Sequence, residues 1–544
     1  MQSRSHGSAT GEKRFFTGVL LLFFATFLAK LIGLFYKIPL IRIVGVEGMA
    51  YFLAAYHIYS LLFVLSATGL PNALSLLVAR AEAADRPRAA RRCFRVAAAL
   101  FLALGSLGTA TLILFAAPLA RRLAMRESAA AIAAIAPSLF LAGWIGAVRG
   151  YFQGKQRMMP TAVSEVSEAV GKLAFGLLFS LLAAKRGATP PQLAAAAILG
   201  ITAGMCLSAL LLLVLYLTDR FRHPAAGKEE TAAQRQKVLP SLVRLALPMT
   251  LSASVMSLVS LVDTVLISGR LQAAGYAPSV ANSLYSAYGN LAVPLYNLVP
   301  TLLSPLSLAL MPMLGAAVAK RDEKNAAGLL LSGLRLTAFI AIPAALGLCA
   351  FSSPILAMIY RGESGAVSVA APLLSLLGIC VVPASFITLS GAALQALGRP
   401  GVPVIAMSVG ALVKLITEFF LLTLPPVGIY AAPISTLFCN TAVLCIQLAV
   451  LCRVFPFRMS PSRDLLRPLL AALCSVGAGV GIYAWLARVM PATPCFCITL
   501  CAIVCLYLFL SLRFCALTKE DLDTLPFGTR IRPVFEKLRL FPNR

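Results

Sequence analysis

FFTGVLLLFFATFLAKLIGLFYKIPLIRIV, residues 15–44, is apolar and long enough to cross a bilayer, yet two lysines interrupt it. A membrane span needs about 20 apolar residues. Lys30, Gly33 and Lys37 fall at i, i+3 and i+7, so a helix puts all three on one stripe. A lysine at mid-membrane costs roughly 2.5–3.5 kcal/mol on insertion scales and therefore faces a cavity or a partner. Two on one face mark a place where something negative is handled.

The rest of the chain follows the same logic. It has 544 residues, is 60% hydrophobic and carries only 12% charged residues, against about 25% in a soluble protein. This is the composition of a polytopic membrane protein. The net charge of +27 does not indicate nucleic-acid binding, because the basic residues lie mostly between apolar runs, where they set topology. Residues 1–14 form a short polar lead with Lys13 and Arg14. The apolar run after it is too long for a signal-peptide core, so an uncleaved first span is expected.

Apolar runs of span length occur at 15–40, 50–79, 94–117, 129–152, 160–184, 193–218, 240–268, 283–318, 326–352, 366–396, 401–423, 428–452, 466–487 and 494–514. Pro294, Pro300, Pro305 and Pro312 predict a bend or break in the eighth. With both termini inside, the cytoplasmic segments collect Arg80 to Arg95, Arg149-Lys155-Arg157, Arg220 to Arg244, Lys320-Arg321-Lys324 and Arg453 to Arg467. Arg121, Arg122 and Arg126, on the outside, fit that orientation poorly.

An internal repeat organises these spans. Val78-Ala79-Arg80, with Arg95 beyond it, recurs 240 residues later as Val318-Ala319-Lys320 with Arg335. Gln153-Gly154-Lys155, then Pro160 and Lys172, is echoed by Leu397-Gly398-Arg399, Pro403 and Lys414. Each copy of the second motif joins a glycine-basic turn to a proline-started helix carrying a lysine. A duplicated six-helix unit gives two parallel lobes with a pocket between them. The expected fold is thus all-α and polytopic, with about 14 transmembrane helices: two pseudo-symmetric six-helix lobes plus a C-terminal helix pair around a central cavity. The expected segments are a lead at 1–14, lobes at 15–218 and 240–454, a cytoplasmic linker at 219–239, helices 13–14 at 455–515 and a cytoplasmic tail at 516–544.

Several polar residues within spans are candidates for work. Glu165, Glu168 and Lys172 share one face of span five; they read either as a self-cancelling Glu168–Lys172 pair or as a cavity face. Lys414 and Glu418 repeat the choice in span eleven. Asp263 is a cation site, a partner of Lys30 or Lys37, or an interfacial acid; His57 is a proton relay or a packed interfacial histidine. Gln153, Gln395, Asn282, Asn290 and Asn297 bind sugar or bridge helices. Cys495, Cys497, Cys501 and Cys505 lack nearby His or carboxylate ligands, so they read as small apolar residues rather than a metal site. The chain has no Walker loop, zinc helix motif or Ser/His/Asp set, so a transporter is expected rather than an enzyme, without a cofactor.

Lys30-Leu31-Ile32-Gly33, Tyr36-Lys37-Ile38-Pro39 and Gly45-x-x-Gly48 resemble the opening of the stage V sporulation protein B and MurJ-like lipid II flippases of the multidrug/oligosaccharidyl-lipid/polysaccharide (MOP) exporter superfamily. Thr68-Gly69-Leu70-Pro71, Gly154-x5-Pro160-Thr161-Ala162, Val262-Asp263-Thr264, Leu284 to Tyr288 and Ala393 to Gly398 extend the resemblance in order. It implies a cytoplasmic-membrane flippase, alternating between inward and outward access, for an undecaprenyl-diphosphate-linked oligosaccharide such as lipid II. Lys30 and Lys37 would contact the diphosphate. Apart from the resemblance, a lysine cluster that binds too tightly would not release, so partial neutralisation by Asp263 or Glu168 is expected to help turnover. The resemblance also brings in peptidoglycan or polysaccharide synthesis, sporulation and a coupling ion. One departure is SAYGNL at Ser286–Leu291, where lipid II flippases carry an arginine; this leaves the glycan open. A cation-coupled multidrug antiporter is the alternative within the superfamily, and the first-span lysines, which repel cations, argue against it.

Overall fold

The computed structural model describes residues 5–514 except 68, 85, 124, 223–237, 320, 423, 425–426, 456–459 and 461. The expected tail and most of the linker lie outside the described residues. Among the described residues every regular element is helical: α1 (Ser5–Ala67), α2 (Gly69–Ala83), α3 (Pro87–Arg122), α4 (Ala129–Ile135), α5 (Pro137–Gly154), α6 (Met159–Lys185), α7 (Pro190–Arg222), α8 (Val238–Ala273), α9 (Pro278–Ser286), α10 (Val293–Ala319), α11 (Glu323–Ala350), α12 (Ser352–Ile359), α13 (Ser364–Ala396), α14 (Gly401–Leu421), α15 (Ala431–Val454), α16 (Arg467–Leu486) and α17 (Ala492–Arg513). The described residues of each apolar run read from the sequence are almost all helical, and ten helical segments among the described residues are long and apolar enough to cross a membrane.

The chain divides into two compact units, Met1–Ser286 and Ala287–Arg544. α8 and α9, which the repeat assigns to the second lobe, therefore pack with the first unit against α1 and α2. Sequence repeats record descent and say nothing about which neighbour a helix chooses.

In the first unit, α1 holds the first span and the first part of the second, separated by Gly45 at φ 75°, ψ 161°. That backbone region is open essentially to glycine alone. α6 and α7 lie unusually close because Gly171 faces Gly204 and Gly176 faces Gly200, leaving no room for a Cβ. Small residues that let backbones approach are the usual glue between helices in lipid.

In the second unit the prolines expected to break span eight act through the carbonyls they orphan. Proline has no N–H for the carbonyl four residues earlier, and that oxygen must find another donor. Ahead of Pro294 the chain runs through a π-helical turn at Ala287–Ala292, and the freed Asn290 carbonyl accepts a hydrogen bond from Tyr360 Oη at 3.3 Å. Ser304 Oγ donates to the Thr301 carbonyl, freed by Pro305, at 2.8 Å. So α10 continues through Pro300, Pro305 and Pro312, and the irregularity sits upstream.

Pro343 in α11 frees the Phe339 carbonyl, which accepts from Tyr507 Oη on α17 at 2.7 Å. The two rings also meet at a tilt, with centroids 5.1 Å apart. Arg335 Nε donates to Asp464 Oδ1 at 2.7 Å just before α16, and Asp464 Oδ2 also accepts from the Ser460 N–H at 2.8 Å. The last helix pair is thus fastened to adjacent turns of α11, once from just before α16 and once from α17.

Candidate functional site

The face of α1 that carries Lys30 is set by its neighbours. Tyr36, Leu40, Ile41 and Val44 are buried, and a Cβ at Gly176 of α6 would collide with Tyr36. Thr26, Lys30, Gly33 and Lys37 run along the flank. Thr26 Oγ1 donates to Glu165 Oε2 of α6 at 2.6 Å, a charge-assisted bond that pins the rotation of α1 one turn before Lys30. Lys30 and Gly33 are exposed, nothing lies within 4 Å of a Cβ at Gly33, and Lys37 is half-buried. The stripe is therefore open between its two ammonium groups.

Glu168 sits one turn beyond Glu165 and gathers two cations. Lys172 Nζ donates to its Oε1 at 2.6 Å and Arg149 Nη2 to its Oε2 at 2.9 Å. Arg149 Nε also donates to Ser164 Oγ at 2.8 Å, and Ser208 Oγ of α7 donates to the Ser164 carbonyl at 3.0 Å. The Glu168–Lys172 pair expected within span five forms, but it is half of a triad. Side-chain exposure is 29% for Lys172, 18% for Arg149 and 16% for Glu168. Two cations share one carboxylate, leaving the triad net positive, with Lys172 its most accessible member.

Arg149, which the sequence placed among the cytoplasmic topology anchors, lies in α5 and turns inward. The available signal was the Arg149–Glu168 separation across a short turn, which brings α5 and α6 side by side.

Asp219, expected to open the linker, belongs instead to α7 and is buried. It accepts from Lys155 Nζ at 3.0 Å and from Arg157 Nη1. Burial works against the Lys155 charge, but the hydrogen bonds and charges of Asp219 and Tyr151 together outweigh it and hold the Lys155 pKa above the ordinary lysine value. This clamp closes the α5–α6 turn onto the end of α7.

Asp263 on α8 is buried. Beside it, Thr264 Oγ1 lies 2.7 Å from His57 Nδ1 and 2.8 Å from Tyr285 Oη, and Tyr285 Oη lies 3.1 Å from the same His57 nitrogen. Thr264 already donates to the Ser260 carbonyl at 3.0 Å. Its oxygen is then an acceptor, and the network closes with a proton on His57 Nδ1. His57 thus ties α1 to α8 and α9. Farther along, Ser268 Oγ donates to Asn282 Oδ1 at 3.0 Å.

In the second unit Lys414 and Glu418 are 6% and 0% exposed, one turn apart on α14. Ser435 Oγ of α15 donates to Glu418 Oε2 at 3.4 Å. Nearby hydrogen bonds run from Asn440 Nδ2 to Tyr296 Oη at 2.8 Å and from Ser390 Oγ to Gln447 Oε1. Among the polar candidates for sugar or bridging roles, Asn282 and Asn290 are buried, Gln153 is half-buried, and Gln395 and Asn297 are exposed. Cys497, Cys501 and Cys505 are exposed along α17, and Cys495 is buried.

The profile of the polysaccharide biosynthesis protein family matches residues 15–318, and that of the MatE family matches residues 248–420. The chain is 25% identical to stage V sporulation protein B of Bacillus subtilis (strain 168), covering 96% of this chain and 99% of the relative. It is 24% identical to the lipid II flippase MurJ of the same organism, covering 75% and 77%. A solved structure of lipid II flippase MurJ in an inward closed conformation shares the fold, with a TM-score of 0.65 and 17% identity over 91% of this chain and 98% of that one. The chain is a multi-span membrane protein of the polysaccharide biosynthesis protein family and, with it, a transporter of the MOP superfamily.

Proposed function

We propose that the protein is a flippase that moves an undecaprenyl-diphosphate-linked oligosaccharide across the bacterial cytoplasmic membrane by alternating access, with both termini cytoplasmic and the repeat-defined six-helix lobes as its moving parts. The observation that carries the reading is the open Lys30–Gly33–Lys37 stripe, braced by the Thr26–Glu165 bond. A diphosphate cannot enter hydrocarbon unaided, and ammonium groups replace its lost hydration through charge-assisted hydrogen bonds. The glycine between the lysines leaves the space a headgroup needs. Lys172, the accessible member of a triad already neutralised in part by Glu168, adds a weaker contact and keeps the hold reversible. Lys414, Glu418 and Asp263 are buried, so in this reading they serve the scaffold or a coupling ion.

The match to the MatE family favours a second reading, a cation-coupled antiporter for cationic drugs. Native mass spectrometry of the purified protein separates the two. The flippase reading expects an undecaprenyl-diphosphate-linked saccharide to bind and undecaprenyl monophosphate to bind more weakly. Binding of lipophilic cations together with indifference to the diphosphate would overturn it.

A further inference from the structure

We infer that the α6 side of the Lys30–Lys37 stripe is a subsite for the sugar next to the diphosphate, an uncharged ring that stacks on Tyr56 and hydrogen-bonds to Glu165 and Lys172. The inference rests on the flippase reading and names the part of the cargo that these residues hold.

Two contacts align the helices. Thr26 of α1 bonds to Glu165 of α6, and Tyr36 packs against Gly176. The two helices therefore run side by side in the same direction, and Lys172 falls between Lys30 and Lys37 in height. Glu165 and Lys172 are seven residues apart, two turns or about 10 Å of helix, and Glu168 lies between them on the same face. Tyr56, in the part of α1 beyond Gly45, is 39% exposed. It lies near enough to Lys172 to act on its charge, and its neighbour Tyr59 feels Glu168 and Arg149. The Tyr56 ring is braced on its own helix: Phe52 lies parallel to it with centroids 6.3 Å apart, and Tyr59 follows at 6.1 Å. Phe52 and Tyr59 are buried, and Tyr59 Oη donates to Met205 Sδ of α7 at 3.2 Å. One exposed ring is thus held in place beside an accessible ammonium group.

The two helices offer different chemistry. The charged groups of the α1 stripe are both ammonium, and they match the two charges of a diphosphate diester. Beside them, Glu165, Glu168, Lys172 and Arg149 carry charges that sum to zero. A carboxylate next to a diphosphate weakens its hold, so Glu165 is out of place in a site built for phosphate alone. It suits a hydroxylated ring, because a carboxylate accepts from about four donors and Thr26 engages Oε2. Lys172 supplies the matching donor, since an ammonium group has N–H bonds beyond the one it gives to Glu168. The negative face of an aromatic ring attracts the C–H groups on the flat side of a sugar, which is what Tyr56 offers. A uronic acid would set a third carboxylate beside Glu165 and Glu168, where Lys172 and Arg149 are already engaged.

The test is native mass spectrometry of the full-length protein with three probes: undecaprenyl diphosphate, the same lipid bearing N-acetylglucosamine, and the same lipid bearing glucuronic acid. The wild type is expected to hold the N-acetylglucosamine lipid about five- to tenfold more tightly than the bare one, the worth of one packed ring. It should also prefer that lipid to the glucuronic acid form by about tenfold, through like-charge repulsion. Tyr56→Ala should bring the first ratio close to one, and Tyr56→Phe, which keeps the ring, should restore it. Glu165→Gln keeps an oxygen for Thr26 and should remove the discrimination against glucuronic acid. Lys30→Ala should weaken all three probes together and keep both ratios. A wild type that holds bare and sugar-bearing lipids equally would overturn the subsite while leaving the flippase reading in place, and so would a first ratio unmoved by Tyr56→Ala. Preference for the glucuronic acid lipid would overturn the uncharged sugar. A wild type that binds none of the three would overturn the flippase reading and the subsite with it.

Discussion

α6 and α14 start from the same plan, a glycine-basic turn, a proline and a lysine about three turns in, yet they treat the lysine in opposite ways. On α6, Lys172 keeps 29% of its side chain accessible and shares Glu168 with an arginine from α5. On α14, Lys414 is 6% exposed, and Glu418, one turn on the other side of it, is fully buried. A charge inside a membrane protein either faces a wet or occupied path or is sealed among polar partners. The first unit leaves its lysine partly accessible and the second buries it, so the recurring motif does not fix the burial of its lysine. The open lysine stripe of α1 lies in the same unit as the accessible triad.

The contrast breaks most visibly if the sealed charges are not structural. Glu418→Leu leaves Lys414 buried without the carboxylate one turn away and should cost about 3–5 kcal/mol, read from thermal melting in detergent. The double change Lys414→Met/Glu418→Leu should recover most of that loss, since no charge then needs burial. A double variant as unstable as the single would erase the distinction between the units. Asp464→Asn removes the partner of Arg335, itself 16% exposed, and should cost about 3 kcal/mol. Limited proteolysis should then cut near α16 first.

Smaller effects sharpen the picture. Thr26→Val removes the donor to Glu165 and should cost about 1.5 kcal/mol, with a several-fold lower transport rate because α1 loses its rotational brace. Tyr507→Phe strands the carbonyl freed by Pro343 and should cost about 1–2 kcal/mol. In a Pro343→Ala background, which restores the missing N–H, the same change should be nearly neutral. Arg157→Gln touches a pair whose cation is 51% exposed, and should shift stability by less than about 0.5 kcal/mol.

Much of the membrane architecture was legible because each span is an apolar run that a length argument alone detects, and the Lys30–Lys37 stripe followed from spacing. The Glu168–Lys172 pair was equally local. Arg149 was not legible, since a basic residue near a span end satisfies the topology rule without needing an inward role. Asp219 was misplaced because the apolar run ends before the helix does. The prolines of span eight signalled irregularity but not its position, which depends on donors as distant as Tyr360. Gly45, Gly171 and Gly200 act through backbone conformation and close approach, and neither has a hydrophobic pattern. The packing of α8 and α9 with the first unit is a tertiary choice that a repeat cannot encode.

The most direct measurement is translocation of a fluorescent undecaprenyl-diphosphate-linked saccharide in proteoliposomes containing equal amounts of wild type, Lys30→Ala or Lys37→Ala. Loss of one charge-assisted contact to phosphate predicts an initial rate lower by about 10- to 100-fold in each variant, with melting temperatures unchanged. Full rates in both variants would contradict the assignment of the stripe to the cargo.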